Sequence, residues 1–255
     1  MRTLDRPPVE EGAVELKPIA WVLSLTLLGC GMATAAAPSH AATPPLFGTV
    51  EFRAESLAAL PQWQRVLERI EEERPVYRAC AAAADCPSRG VMAWQALKRS
   101  QQGGRPRDQL RAVNRFVNNW EYKDDAHNYG RRDHWASPLE FLRRSGDCED
   151  YAITKYVTLR HLGYGPERLR LVVVHDVLRD VAHAVLAVYL DDEVYILDNL
   201  TSAVLPQDRV TQYVPYYSVN EQARWAHVAP VAAMMSARNT GVGPGAGSPP
   251  AAPED

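Results

Sequence analysis

The spacing of hydrophobic positions changes near the middle of the chain. Up to about residue 162, apolar residues recur at intervals of three and four, as they do on one face of an α-helix. This spacing predicts helices at about 56–73, 91–99, 107–120, 137–144 and 147–162. Pro75 is expected to end the first helix, and Ser137, Pro138 and Glu140 have the pattern of a capped helix start.

Beyond Gly163 the apolar residues form short runs rich in valine and leucine, which are typical of β-strands. The predicted strands are 169–175, 182–190 and 193–197, with Asp191-Asp192 as the turn between the last two. Residues 43–55 are also expected to be extended, and 210–219 to add an edge strand. Helices followed by strands predict an α+β domain in which helices pack on an antiparallel sheet.

The composition fits an ordinary globular protein. The chain has 255 residues, 23% of them charged, and a formal net charge of −3. Its basic residues are scattered among acidic ones, so nucleic acid is not expected as a partner. We place the folded domain at 43–228. Residues 229–255 are mostly Ala, Pro, Gly and Ser without periodicity, which predicts a disordered tail.

The N-terminal 42 residues have the pattern of a secretory signal. Lys17 is followed by an apolar run from Ile19 to Leu28 and then by small residues up to Ala42. The mature protein is therefore expected outside the cytosol. Cleavage among the small residues is the favoured interpretation, while lipidation at Cys30 and retention as a membrane anchor stay open.

The cysteines divide into three kinds. Cys30 lies in the signal segment, and Cys80 and Cys86 are close enough in sequence to form a short-loop disulfide outside the cytosol. Cys148 is then left single. It opens a predicted helix, where unpaired backbone N–H groups favour a thiolate, so it is a candidate nucleophile. The alternative is a buried packing cysteine beside a helix cap at Asp147.

A cysteine nucleophile needs a base, and the base needs a group that orients it. His175 and His183 both fall on predicted strands after the cysteine, and His183 is the better placed, at the start of a strand. If Asp191-Asp192 is a two-residue turn, Asp198 falls opposite Val185 and shares a face with His183. The backbones would then be roughly 7 to 8 Å apart, which the two side chains can bridge.

A helix-opening cysteine followed by histidine and aspartate on adjacent strands resembles the papain-like and transglutaminase-like cysteine enzymes. More closely, GDCEDYAITKYVTLRHLGY, AHAVLAV and YILDN resemble the bacterial transglutaminase-like cysteine proteinases of the LapG type. The resemblance extends upstream through FVNNWEY and YGRRDHWASPLEFL. It implies a papain-like or transglutaminase-like core, with Cys148 as nucleophile, His183 as general base and then acid, and Asp198 orienting His183.

The resemblance also implies a cofactor, a substrate and a regulator. Proteins of this type are periplasmic, calcium-dependent proteases that cut a large surface adhesin near its N-terminus at paired alanines and so release bacteria from biofilms. An inner-membrane receptor that responds to cyclic di-GMP holds them in check. The calcium dependence maps onto Asp147 and Glu149, with Asp125 or Asp133 as candidates for further ligands; capping is the alternative role of the first two acids.

Two other functions remain open from the sequence. The same triad could serve a transglutaminase or an amidase, which passes the acyl group to another acceptor. The chain could also be a non-catalytic, calcium-dependent binding protein in which the cysteine is incidental.

Overall fold

The computed structural model of the protein describes residues 44–82, 86 and 88–230. The predicted signal segment, residues 1–42, and nearly all of the predicted tail, 229–255, lie outside these residues. Six α-helices are described: α1 Pro61–Ala82, α2 Arg89–Gln101, α3 Pro106–Val117, α4 Asp125–Tyr129, α5 Pro138–Arg144 and α6 Cys148–His161. None of the described helices is both long and apolar enough to cross a bilayer.

Seven β-strands form one antiparallel sheet in the order β1-β7-β6-β2-β3-β4-β5. Their bounds are β1 Val50–Ala54, β2 Leu169–Asp176, β3 Val181–Leu190, β4 Glu193–Leu197, β5 Leu205–Pro206, β6 Tyr213–Val219 and β7 Arg224–Val228. The predicted α+β class, with the cysteine helix packed on an antiparallel sheet, is confirmed. Three short 3₁₀ turns lie at Leu46–Gly48, Pro166–Arg168 and Gln207–Arg209.

The prediction that Pro75 ends the first helix is wrong. The helix continues through this proline to Ala82. Burial on both sides of the proline explains the difference. Val66 precedes it and Cys80 follows it in the same apolar core, and the Tyr77 hydroxyl donates to the Glu73 carboxylate at 2.5 Å across the proline turn. Tertiary packing here outweighs the loss of one helical hydrogen bond. The predicted disulfide joins Cys80 to Cys86.

The prediction of an edge strand at 210–219 is wrong, because β6 lies between β7 and β2. A β-bulge allows this strand, which contains a proline, to lie inside the sheet. Pro215 lacks an N–H group and is normally confined to edges or irregularities of a sheet. Here it pairs with Val174 where the β2–β6 register shifts between Val173 and Val174. The bulge accommodates the proline inside the sheet.

Helix α6 packs against β3 and β2 and forms the centre of the core. On this face, buried side chains of α6 such as Ile153 and Tyr156 meet Leu171 and Leu186 of the sheet. Alternate strand residues, including Val185, point to a second, smaller core on the opposite face. The sheet is therefore buried on both sides around β2 and β3, which gives β3 a rigid frame for the residues at its start.

Candidate active site

Cys148 is the first residue of α6 and is half-buried. The Sγ atom donates to Oε2 of Glu149 at 3.3 Å. Burial raises the pKa of the thiol well above its usual value, the charges of Glu149 and Asp147 raise it further, and the backbone amide of Ala184 lowers it. The Cys148 sulfur therefore faces β3 at the residue next to His183, among acidic neighbours that favour the protonated thiol.

The start of α6 is fixed by Asp150. One carboxylate oxygen accepts from the backbone N–H of Asp147 at 3.2 Å, and the other accepts from that of Ala136 at 2.6 Å. The carboxylate lies so close to Gly146 that a Cβ there would be 1.9 Å from Oδ2 of Asp150. Only glycine fits at this position, two residues before Cys148. Gly146 and Asp150 together place the cysteine at the helix N-terminus.

The β3–β4 hairpin brings His183 and Asp198 together. Leu190 pairs with Glu193 and Leu186 with Leu197, which confirms the predicted two-residue turn and register. Nε2 of His183 lies 2.9 Å from Oδ1 of Asp198, and both side chains are buried. Because Asp198 occupies Nε2, Nδ1 is the ring nitrogen that remains for the thiol. Residues 44–82, 86 and 88–230 contain no hydrogen bond between Cys148 and His183, a contact that can be long in a ligand-free site.

Asp198 accepts two further hydrogen bonds. The backbone N–H of Leu200 donates to Oδ1 at 3.0 Å, and the Tyr213 hydroxyl donates to Oδ2 at 2.5 Å. Burial raises the pKa of Asp198, but the hydrogen bond and charge of His183 and the other donors outweigh it and hold that pKa below its usual value. Asp198 is thus held as a carboxylate. Tyr213 was not identified from the sequence, because its proximity depends on β6 lying next to β2.

His175, the other strand histidine, lies elsewhere in the sheet. Its Nε2 pairs with Oδ1 of Asp180, an exposed residue between β2 and β3, at 3.2 Å. The His175 ring stacks at a tilt near Tyr216. The structure therefore brings His183, and not His175, to Asp198.

An acidic cluster adjoins the thiol. Carboxylate oxygens of Asp125, Asp133 and Glu149 lie within 4.8 Å of one another, and so do those of Asp125, Asp147 and Asp150. Asp147 and Glu149 also form such a group with the Cys148 sulfur. Asp147 is the N-cap residue and has an extended backbone, so it can face Glu149 across the helix start. Asp150 was not predicted, although its position three residues after Asp147 is that of a capping residue.

The donor set fits a hard divalent cation. Oxygen Oδ1 of Asp125 and Oδ1 of Asp147 are buried and have no hydrogen-bond partner in the described residues. Burial raises the pKa of Asp125 to about 7 and, together with charge repulsion from neighbouring acids, raises the pKa of Glu149 and of Asp150 well above their usual values. Clustered carboxylate oxygens with unpartnered lone pairs are the ligands that calcium prefers.

Tyr122 lies at the same site. It forms a β-bridge with Gly146, and its side chain is 56% exposed. Burial raises its pKa, followed by the charges of Cys148 and Asp147. The sequence alone assigns no role to Tyr122. The bridge to Gly146 now places this tyrosine beside the nucleophile candidate.

The fold and the site define a transglutaminase-like cysteine protease. The family model of the bacterial transglutaminase-like cysteine proteinases (BTLCP) matches residues 77–232. Because this match covers more than half of the chain, the protein belongs to that family. No curated protein matches the chain significantly.

Solved structures of LapG from Legionella pneumophila are similar to this chain. The calcium-bound form is 32% identical, with a TM-score of 0.53, over 60% of this chain and 86% of that one. The EGTA-treated form is also 32% identical, with the same TM-score, over 60% of this chain and 83% of that one. A third LapG structure is 30% identical, with a TM-score of 0.53, over 66% of this chain and 91% of that one. The similarity supports a LapG-type protease.

Proposed function

We propose that the protein is a calcium-dependent cysteine endopeptidase with Cys148 as nucleophile, His183 as general base and acid, and Asp198 as the group that orients His183. The observation that carries the proposal is the buried His183–Asp198 pair, joined at 2.9 Å, in which His183 precedes Ala184, whose backbone amide lowers the pKa of the Cys148 thiol. An oriented histidine beside a helix-opening cysteine is the arrangement that acyl transfer through a thioester requires.

The proposed mechanism uses both ring nitrogens of His183. Nδ1 accepts the thiol proton, and the thiolate of Cys148 attacks the scissile carbonyl carbon. Backbone N–H groups at the start of α6 stabilise the resulting oxyanion. His183 then gives its proton to the leaving amine, and a water molecule, deprotonated by His183, hydrolyses the thioester. Throughout, Asp198 accepts from Nε2 and stabilises the imidazolium.

We propose that Asp147 and Glu149 hold calcium, together with Asp125, Asp133 or Asp150 from the same cluster. A bound calcium ion would supply positive charge that offsets these carboxylates beside the thiol. In the structure, Glu149 accepts a hydrogen bond from the Cys148 thiol at 3.3 Å. If its oxygens served as metal ligands, Glu149 would no longer accept from the thiol, and Nδ1 of His183 would remain as the proton acceptor. The calcium-bound and EGTA-treated LapG structures support calcium as the ion.

For the biological role, we propose cleavage of a large surface adhesin near its N-terminus, at paired alanines, in the periplasm. Release of the adhesin would promote biofilm dispersal, and an inner-membrane cyclic di-GMP receptor would sequester the protease. The sequence resemblance to LapG-type proteinases around Cys148, His183 and Asp198 implies the substrate class and the receptor, and the signal-like sequence of residues 1–42 supports the compartment.

The direct test mixes the mature protein with N-terminal fragments of large surface adhesins encoded in the same genome, with calcium or with a chelator. We expect two fragments with calcium, and none with the chelator or with Cys148→Ala. His183→Ala should be equally inactive, while His175→Ala, the matched control on β2, should keep near-normal activity. Cleavage by Cys148→Ala would disprove the assigned nucleophile. An adduct with an added labelled primary amine, without chain cleavage, would instead identify a transglutaminase.

A further inference from the structure

A lysine is buried without a partner in the helix that carries the nucleophile. Lys155 is fully buried, and its Nζ has no hydrogen-bond partner within residues 44–82, 86 and 88–230. The centroid of the Tyr151 ring lies 5.8 Å from Nζ. Lysine is almost never fully buried unless it is paired. An unpartnered ammonium group in the protein interior therefore points to a role that its surroundings must reveal.

The surroundings connect Lys155 to the proposed active site. Lys155 follows Cys148 by seven residues, which is about two helical turns, so both lie on the same side of α6. Asp198 is the negative charge that acts on Lys155, raising a lysine pKa that burial lowers to about 7. Lys155 is thus linked to the carboxylate that orients His183.

The turn that carries Asp198 is held by two asparagines of α3, a helix that packs against α6. Nδ2 of Asn118 donates to the carbonyl of Asp198 at 2.8 Å and to that of Thr201 at 2.9 Å, and Nδ2 of Asn114 donates to Thr201 at 3.0 Å. The amide oxygens of both side chains are buried and have no partner among the described residues, and neither does Oδ1 of Asn199. Three acceptors are therefore left over around this turn, and the Lys155 amino group carries N–H groups that lack acceptors.

We propose that Lys155 is a positioning residue: its amino group donates to these amide oxygens across one buried water molecule and so holds the turn that carries Asp198. The proposal rests on the proposed catalytic function of that carboxylate. Buried donors and acceptors without partners are each costly, and pairing them through a water molecule removes both costs. Lys155 would then stabilise the His183–Asp198 pair without touching the substrate.

The test replaces Lys155 with Met, which keeps the length of the side chain and removes the charge. Lys98→Met is the matched control, because Lys98 is a half-buried lysine on α2 whose Nζ lies over the Trp94 ring at 3.6 Å. We expect Lys155→Met to lower kcat about tenfold with KM within about twofold, and to slow alkylation of Cys148 by iodoacetamide. Lys98→Met should change neither kcat nor the alkylation rate.

An unchanged kcat and alkylation rate in Lys155→Met would overturn the proposal. So would a variant whose Tm and activity fall while Cys148 is still alkylated at the wild-type rate. If Lys155→Met does not fold, the ¹³Cε resonance of Lys155 is compared in the wild type and in Asp198→Asn. We expect it to shift, and an unshifted resonance would overturn the proposal. Alkylation and resonance do not require proteolysis, so they remain informative if the wild type cleaves no adhesin and the proposed function fails.

Discussion

Replacing Tyr213 with Phe tests how far Asp198 depends on its third donor. The Tyr213 hydroxyl donates to Oδ2 of Asp198 at 2.5 Å, whereas His183 and Leu200 both donate to Oδ1. Phenylalanine keeps the ring, which packs edge-on against Phe47 with centroids 6.4 Å apart, and removes only the hydroxyl. Oδ2 would then be a buried, charged oxygen without this partner.

A hydrogen bond to a charged group contributes about 1.5–3 kcal/mol. We therefore expect Tyr213→Phe to lower the free energy of unfolding by about 2 kcal/mol. For a domain of this size, that corresponds to a fall in Tm of roughly 4–8 °C. Because Asp198 can then rotate away from His183, kcat should also fall, by about tenfold if one further kcal/mol or so of transition-state stabilisation is lost.

Calorimetry and the adhesin-fragment assay measure the two effects of Tyr213→Phe. Tyr216→Phe is the matched control: it lies on the same strand, and the described residues offer its hydroxyl no hydrogen-bond partner. A Tm within about 1 °C of the wild type, together with an unchanged kcat, would show that Asp198 is held without Tyr213. Such a result would refute a stabilising effect of the hydrogen bond from the Tyr213 hydroxyl to Asp198.

Three further changes probe the site. The pKa of Asp198 is lowered on folding. Its stabilising effect is therefore complete above about pH 4 and is lost as the pH falls through the lowered pKa. In denaturant melts, the free energy of unfolding of the wild type should fall more steeply with acid than that of Asp198→Asn. Asp125→Asn should weaken calcium binding at least tenfold in calorimetric titrations, because it removes a carboxylate charge from the cluster. Asp124 is the exposed N-cap residue next to it, so Asp124→Asn should not weaken binding. Equal affinities of the two variants would exclude Asp125 as a ligand. Tyr122→Phe should lower kcat with little change in KM if its hydroxyl assists the oxyanion, and steady-state kinetics with unchanged kcat would reject that role.

The sequence was sufficient where local pattern determined the structure. The β3–β4 hairpin followed from strict alternation and a two-residue turn, and these two features also placed Asp198 near His183. The capped start of α5 followed from Ser137 and Glu140, whose reciprocal hydrogen bonds are present. In both cases the interactions join residues close in the chain.

The sequence was insufficient where distant packing decided the outcome. Burial of Tyr77 carries α1 through Pro75, and a bulge admits Pro215 to the interior of the sheet. Strand β7 was not predicted, because it is short and mostly half-exposed and is defined by its neighbours β1 and β6. Tyr213 could not be linked to Asp198 without the order of the strands. Each missed feature depends on a pairing that the local pattern does not contain.

The pairing of β1 with β7 has a consequence for how the molecule forms. Val50 lies opposite Val228, so the first and last strands of the described chain are neighbours. A ribosome releases β1 early and its partner only when the domain is nearly complete. Such a distant pairing closes late and slowly. We therefore expect truncated or incompletely translated chains to leave β1 as an unpaired edge, open to association with other chains.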